Sequence, residues 1–269
     1  MSTRVEMEHS KEVWRDDDRK GPFERYLSIL EIVAAAHDGL TMTDIAKIID
    51  LPKPTVHRLT RVLLDSGALV AEDQRQRRFR VGPRLWRILY LGFDRDALTA
   101  YAQIVCDSAA IRLKETCYVV RLGRTDVRTV ARATPDQGYR LHVYPGSDLP
   151  AHAAASAKAI LAHQPKKAVT RYIRDPLPRL TPFTKTDISA YLAELEETRA
   201  RGYAICDREI EENVMAYAVP VLLPNAGVLF SVGVTGPSSR LLQNPLEFYI
   251  SGLKEAADQF ARALQALEK

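Results

Sequence analysis

Between Leu40 and Val81 the apolar period switches from that of helices to that of strands, and this switch constrains the fold more than any other feature of the chain. Met42, Ile45, Ala46 and Ile49 recur at i, i+3, i+4 and i+7, the spacing of one buried helix face. Thr41 precedes them as an N-cap, with Asp44 three residues on to cover the free backbone donors of the first turn. Asp50-Leu51-Pro52 predicts a tight turn. Pro54 suits the first turn of the next helix, where its missing N–H needs no partner. That helix runs to about Ser66 and ends at Gly67, with Val56, Leu59, Val62 and Leu63 as its apolar side. Beyond Gly67 the period falls to two. Leu69-Val70-Ala71 and Phe79-Arg80-Val81 read as strands around the polar run from Glu72 to Arg78. Upstream, Tyr26, Ile29, Leu30 and Val33 predict an amphipathic helix over about 23–36. Helix, helix-turn-helix and two-stranded ribbon make a winged helix-turn-helix over 23–83.

Charge concentrates in the same place. The whole chain has a net charge of +4, whereas residues 53–87 hold nine Lys/Arg against three Asp/Glu. Such an excess marks either a phosphate-binding surface or a solvated basic face. The third helix offers Lys53, Thr55, His57, Arg58 and Arg61 on the side away from its apolar stripe. A major groove admits one helix, and its base edges carry acceptors that such side chains reach. Arg75, Arg77, Arg78 and Arg80, in and beside the wing turn, are candidates for phosphate contact in the neighbouring groove. The alternative is a winged helix used for protein docking, which would make the chain a metabolite-binding sensor acting through protein partners.

The remainder predicts a second domain. Residues 1–22 are charged throughout, without an apolar signal core, and read as a flexible arm. No run approaches the ~18–20 apolar residues of a membrane span, and Cys106, Cys117 and Cys206 form no C-x-x-C pair. Both point to buried thiols in a reducing cytoplasm. Residues 84–97 read as a linker helix, and 98–269 as strand hairpins with helices at intervals, an α+β domain around an antiparallel sheet. Strands are expected over 116–122, 127–133, 139–143, 203–206, 215–222 and 228–235, with Pro224-Asn225-Ala226-Gly227 as a hairpin turn. Helices are expected over 98–114, 151–162, 165–173, 187–201 and 245–267. The six histidines show no metal-ligand spacing, and neither a nucleophile elbow nor a phosphate-cradling Gly-rich loop is present. No metal, cofactor or enzymatic activity is expected.

Several longer motifs, in order, resemble the isocitrate lyase regulator (IclR) family of bacterial transcription factors over about residues 23–265. They are RYLSILEIVAAA, LTMTDIAKIIDLPKPTVHRLTRVLLDSGALV, RRFRVGPRLWRI, YPGSDLPAHAAASAKAILA and GYAICDREIEENVMAYAVPVLLPNAGVLFSVGVTGPSSRL. The resemblance implies a GAF/profilin-like effector domain after the winged helix. It implies binding to operator DNA as a homodimer or tetramer, tuned by a small organic acid. Two departures from the family pattern fall near the expected pocket: Ala157 stands where Gly usually precedes Lys158, and Asn213 stands where Gly usually follows Glu209 by four residues.

The residues also suggest where the acid sits. Pro150 leads into Ala151-His152-Ala153-Ala154-Ala155-Ser156, a helix start whose tiny side chains leave backbone donors uncovered, or else pack closely on a neighbour. Alternation places Ser231, Gly233 and Thr235 on one strand face. Ala154, Ala155 and Ser156 would meet that face, with Leu141, His142 and Tyr144 as a wall. Asp207 and Ala216 join the set through the family resemblance. His142 and His152 have an equally ordinary reading as surface or packed histidines, and Lys158 as a support for its neighbours.

Overall fold

The computed structural model describes residues 21–36, 38–72, 78–135 and 145–266, and they form two units, 1–92 and 93–269. In the first unit, α1 (Pro22–Ala35), α2 (Met42–Ile49) and α3 (Lys53–Asp65) pack around Ile29, Val33, Ile45, Val56, Leu59 and Leu69. The Thr41–Asp44 capping box forms with both arms in place: Thr41 N donates to Asp44 Oδ2 at 3.1 Å, and Asp44 N to Thr41 Oγ1 at 3.3 Å. β1 (Leu69–Ala71) and β2 (Phe79–Val81) pair antiparallel, as the change of period predicts. Leu40 and Phe79 exchange backbone hydrogen bonds, which ties the turn before α2 to the ribbon. Gly82 passes so close to the Gly67 carbonyl that no side chain fits between them. That contact lets α4 (Pro83–Leu91) begin directly against the end of α3. One expected core residue differs: Val62 is 45% exposed, and the buried side of α3 is completed by Thr60, whose hydroxyl donates to Val56 O at 2.7 Å.

The second unit is built on a five-stranded antiparallel sheet in the order β4-β3-β7-β6-β5. Its strands are β3 (Thr116–Leu122), β4 (Val127–Ala133), β5 (Ala204–Asp207), β6 (Val214–Leu223) and β7 (Gly227–Pro237). Asn225 and Gly227 take positive φ in the β6–β7 turn, as that hairpin requires. Alternation sorts the two faces. Phe230 meets Phe260 edge-to-face at 5.5 Å, and Tyr217 meets Tyr249 at 5.6 Å, so that face is covered by α10 (Leu246–Ala266), alongside α5 (Arg95–Leu113). Ala204, Cys206, Ala216 and Ala218 point the other way, onto Ala155 and Ala159 of α6 (Ala155–Leu161). Behind α6 lies α8 (Ile188–Arg201), N-capped by Asp187, whose Oδ1 accepts from Ala190 N at 2.7 Å.

Three expectations change. The alanine-rich helix starts at Ala155 rather than Ala151, because Ala153 N and Ala154 N both turn back to Pro150 O and close a separate turn first. The helix expected over 165–173 shrinks to the single turn α7 (Lys166–Val169), and a short α9 (Ser238–Leu241) follows β7 unannounced by any periodicity. The strand expected over 139–143 and the arm over 1–22, apart from 21 and 22, lie outside the described residues. Among the described residues no helix is long and apolar enough to cross a membrane, and no cluster of His, Cys, Asp and Glu is arranged to hold a metal.

Candidate functional site

On α3 the buried face, Val56, Leu59, Thr60 and Leu63, anchors the helix while Lys53, His57, Arg58 and Arg61 stand exposed and Thr55 half-buried. Lys53, His57 and Arg61 follow at i, i+4 and i+8, so they share one line along the helix. None of the cationic residues on this line, nor Arg58, makes an ion pair among the described residues. The face is therefore a row of uncompensated donors on a rigid element, the form needed to read base edges and phosphates.

The wing arginines divide. Arg75 and Arg77 fall in 73–77, outside the described residues. Arg78 is committed to the domain itself: its Nη1 donates to Gly39 O at 3.0 Å and Asp38 O at 3.3 Å, fastening the turn before α2. Arg80 pairs with Glu72 at 2.6 Å across the ribbon and keeps half its surface exposed. Composition counts arginines but does not show which of them the fold consumes. Arg84, at the start of α4, is similarly used, donating from Nη1 to Ser66 O at 3.1 Å where α3 ends.

In the second unit the expected pocket residues do converge, but as a tight seam. Ala154, Ala155, Ser156, Ala216, Ser231 and Thr235 are all buried. Ser231 Oγ donates to Ser156 O at 3.1 Å, and Thr235 Oγ1 donates to Met215 O at 3.0 Å on the neighbouring strand. A Cβ on Gly233 would lie 2.8 Å from Ser156 Oγ and 2.8 Å from Tyr118 Cζ. The small residues thus let helix and sheet approach, which is the close-packing reading of the alanine run. Ser156 Oγ, fully buried, makes no hydrogen bond of good geometry here, and the Tyr118 phenol faces it. Burial holds that phenol well above its ordinary pKa, with Ser156 partly offsetting the rise.

Asp207 lies at the end of β5, and its carboxylate is already engaged. Arg208 Nε and Nη2 donate to it at 2.8 and 3.2 Å, and the same guanidinium lies 4.1 Å over the Phe183 ring. Arg208 takes φ 60°, the left-handed conformation in this turn. His152 is buried, with Nε2 at 2.8 Å from Pro178 O, which is the packed-histidine reading. Burial lowers its pKa, opposed in part by that carbonyl. Leu141, His142 and Tyr144 lie in 136–144, outside the described residues.

Beside the seam opens a cleft of about 570 Å³, within the size range of small-molecule sites, with Leu149, His152, Tyr172, Arg174, Leu180 and Ile210 in its walls. Ile210 joins the two, since it also packs on the alanine cluster between α6 and the sheet. One wall is the chain returning along the edge of β4, where Leu149 N donates to Val127 O at 2.9 Å and Arg128 bridges Asp126 and Asp148 at 3.0 and 2.8 Å. Tyr172 lies past the end of the shortened helix expected over 165–173, and Arg174, Leu180 and Ile210 come from irregular segments with no periodicity to follow.

Comparison with known proteins agrees with both units. Residues 23–73 match the IclR helix-turn-helix domain, and residues 93–262 match the bacterial transcriptional regulator IclR C-terminal domain. SauR of Cupriavidus necator, named as a transcriptional regulator, is 30% identical over 239 residues, 88% of this chain and 94% of that one. The HTH-type transcriptional regulator BhcR of Paracoccus denitrificans is 29% identical over 239 residues, 88% and 85%. Among solved structures, an IclR homolog from Microbacterium hydrocarbonoxydans complexed with 4-hydroxybenzoate has a TM-score of 0.57 at 26% identity, covering 90% of this chain and 98% of that one. These relatives are named as regulators of transcription, and a helix-turn-helix domain in such a family leaves the protein-docking reading of the winged helix without support. With the C-terminal match alone spanning more than half its length, the chain belongs to the IclR family of DNA-binding transcriptional regulators.

Proposed function

We propose that this regulator binds operator DNA in the cytoplasm as a homodimer or tetramer, reads base edges with Thr55, His57, Arg58 and Arg61, and responds to a small organic acid in its C-terminal unit. The observation that carries the DNA reading is the row of exposed, unpaired cations on α3, backed by a fully packed opposite face. Lys53 and the wing arginines Arg75, Arg77 and Arg80 serve the phosphates, and Arg78 chiefly holds the domain together. One winged helix reads too few base pairs for a genome-scale search, which favours paired copies. The exposed apolar side chains of α4, Ile88, Leu89 and Leu91, offer a surface for pairing. Half-sites then fall roughly one helical turn apart, or a multiple of it.

For the acid, support comes from the cleft beside the seam, with apolar walls and Arg174 at its side, and from the 4-hydroxybenzoate in the complex of the Microbacterium homolog. The seat we assign is the cleft beside the closed seam of Ala154, Ala155, Ser156, Ala216, Ser231, Gly233 and Thr235, with Asp207 at the end of the neighbouring strand and Leu141, His142 and Tyr144 as a further wall.

The test is a gel shift on DNA upstream of the chain's own gene, at several salt concentrations. If Arg58 makes a two-pronged contact to guanine, Arg58→Ala costs about 1–3 kcal/mol on the operator and little on scrambled DNA. Replacing Lys53 weakens both and flattens the salt dependence. Undiminished operator affinity in a folded Arg58→Ala protein removes the assigned role.

A further inference from the structure

Lys158 sits on α6 with its side chain fully buried. Its Nζ donates to Glu209 Oε1 at 2.6 Å and to Glu194 Oε1 at 2.9 Å, while Lys185 Nζ approaches the other oxygen of Glu194 at 3.0 Å. The second oxygen of Glu209 finds no hydrogen-bond partner among the described residues. Taking such a group out of water costs about as much as its pairing returns, so stability is a poor account of why it is here. What the arrangement does is geometric. Three segments meet at one ammonium: α6, α8 through Glu194, and the turn from Asp207 to Val214 through Glu209.

That turn needs holding. Arg208, a non-glycine residue, has φ 60°, a conformation that persists only where the surroundings over-determine it. Thr181 Oγ1 donates to Arg208 O and Thr184 Oγ1 to Glu209 O, each at 2.7 Å, so the 181–184 loop grips the backbone from one side. Lys158 grips Glu209 from the other. Ile210 follows directly on the gripped residues and borders the assigned acid site, in the cleft wall and on the alanine seam.

We propose that Lys158 is a positioning residue of the effector site: by holding Glu209 it keeps the turn, and with it Ile210, closed against α6, and acid binding depends on that closure. The inference rests on the effector reading given above. It differs from a simple internal strut in what moves when the grip is lost. A strut loosens the whole sheet, whereas a positioning residue releases one turn.

The experiment is peptide-resolved hydrogen exchange on the full-length protein without added acid, followed by calorimetric titration with benzoate and 4-hydroxybenzoate. The variants are Glu209→Gln, which removes one charge and keeps the shape, and Lys158→Met. In Glu209→Gln, amides of 208–213 and 181–185 exchange about tenfold faster while β6 and β7 keep their rates. Affinity for whichever of the two acids wild type binds falls about tenfold. Lys158→Met shows the same pattern more strongly, and if it does not fold, Glu209→Gln decides alone. Unchanged exchange in the turn, or a rise shared equally by β6 and β7, overturns the proposal. So does full acid affinity in a variant whose turn has opened. If wild type binds neither acid, the effector reading fails for these probes, and the exchange pattern still decides whether Lys158 holds the turn.

Discussion

Gly233→Ala is the sharpest single perturbation of the seam between α6 and the sheet. The added methyl carbon would lie 2.8 Å from Ser156 Oγ, 2.8 Å from Tyr118 Cζ and 3.0 Å from Tyr118 Cε2, all inside van der Waals contact. Neither neighbour has room to retreat. Ser156 is fully buried on α6, whose backbone is tied to β7 through Ser231, and Tyr118 is buried on β3 directly across from Gly233 in the register. One surplus methyl in so closed a place costs about 1–3 kcal/mol. For a unit of this size that lowers the melting temperature by about 2–12 °C. The assay is calorimetric melting of the full chain, reading the transition of the 93–269 unit. Ser156→Gly removes one of the two obstructing groups, so Gly233→Ala in that background costs less, with a coupling of about 0.5 kcal/mol or more. A Gly233→Ala protein that melts within about 1 °C of wild type refutes the tight seam and returns this face to the open-pocket reading.

Other outcomes follow from buried groups. Burial pushes the Cys106 thiol up to about 12, Cys206 to about 11, and Cys117 well above its ordinary value. A thiol reagent at about pH 8 therefore leaves all three untouched in the folded protein and labels all three after denaturation. Glu115, buried at the start of β3, accepts two hydrogen bonds from Arg240 at 2.5 and 2.6 Å. Arg240→Met strands that carboxylate and lowers the urea-derived stability by about 3 kcal/mol, whereas the double change with Glu115→Gln recovers part of the loss. His152, lowered by burial, binds its proton more weakly folded than unfolded. Its contribution is therefore complete above about pH 6.5 and is lost as pH falls through the folded value, so His152→Gln flattens the acid limb of a stability–pH curve.

The first unit was largely legible because its signals are local. The Thr41–Asp44 box, Pro52 and Pro54 at the start of α3 and the change of period after Gly67 each specify structure within a few residues, and α1, α2, α3, β1 and β2 each appear within a residue or so of their expected bounds, whereas the linker helix expected over 84–97 ends at Leu91. The hairpins of the second unit follow for the same reason, with the Asn225–Gly227 turn settled by backbone conformation alone. Val62 shows the limit. Helical periodicity identifies an apolar stripe but not its width, and the edge of the stripe on α3 turned out to face solvent. The start of α6 shows another, since the run from Ala151 to Ala155 fits a helix or a turn equally, and the choice was made by the Pro150 carbonyl.

The seam between α6 and β7 was legible as a set of small residues and illegible as a shape. Small side chains on α6 and β7 mean that volume is missing, and missing volume is common to an open pocket and to two backbones in close approach. Which of the two results depends on what crosses the gap, and the residue that crosses it, Tyr118, lies more than a hundred positions from Gly233 and reaches it only through strand register. The same distance problem hides the role of Lys158. Its partners Glu194 and Glu209 are 36 and 51 residues away, one on a helix and one in a turn, and no spacing rule links them. The sequence suggests a lysine that supports its neighbours, and only the fold shows which neighbours those are. An ammonium excluded from water must recruit carboxylates, so it ties together the segments that bring them, and one of those segments carries Ile210 to the seam.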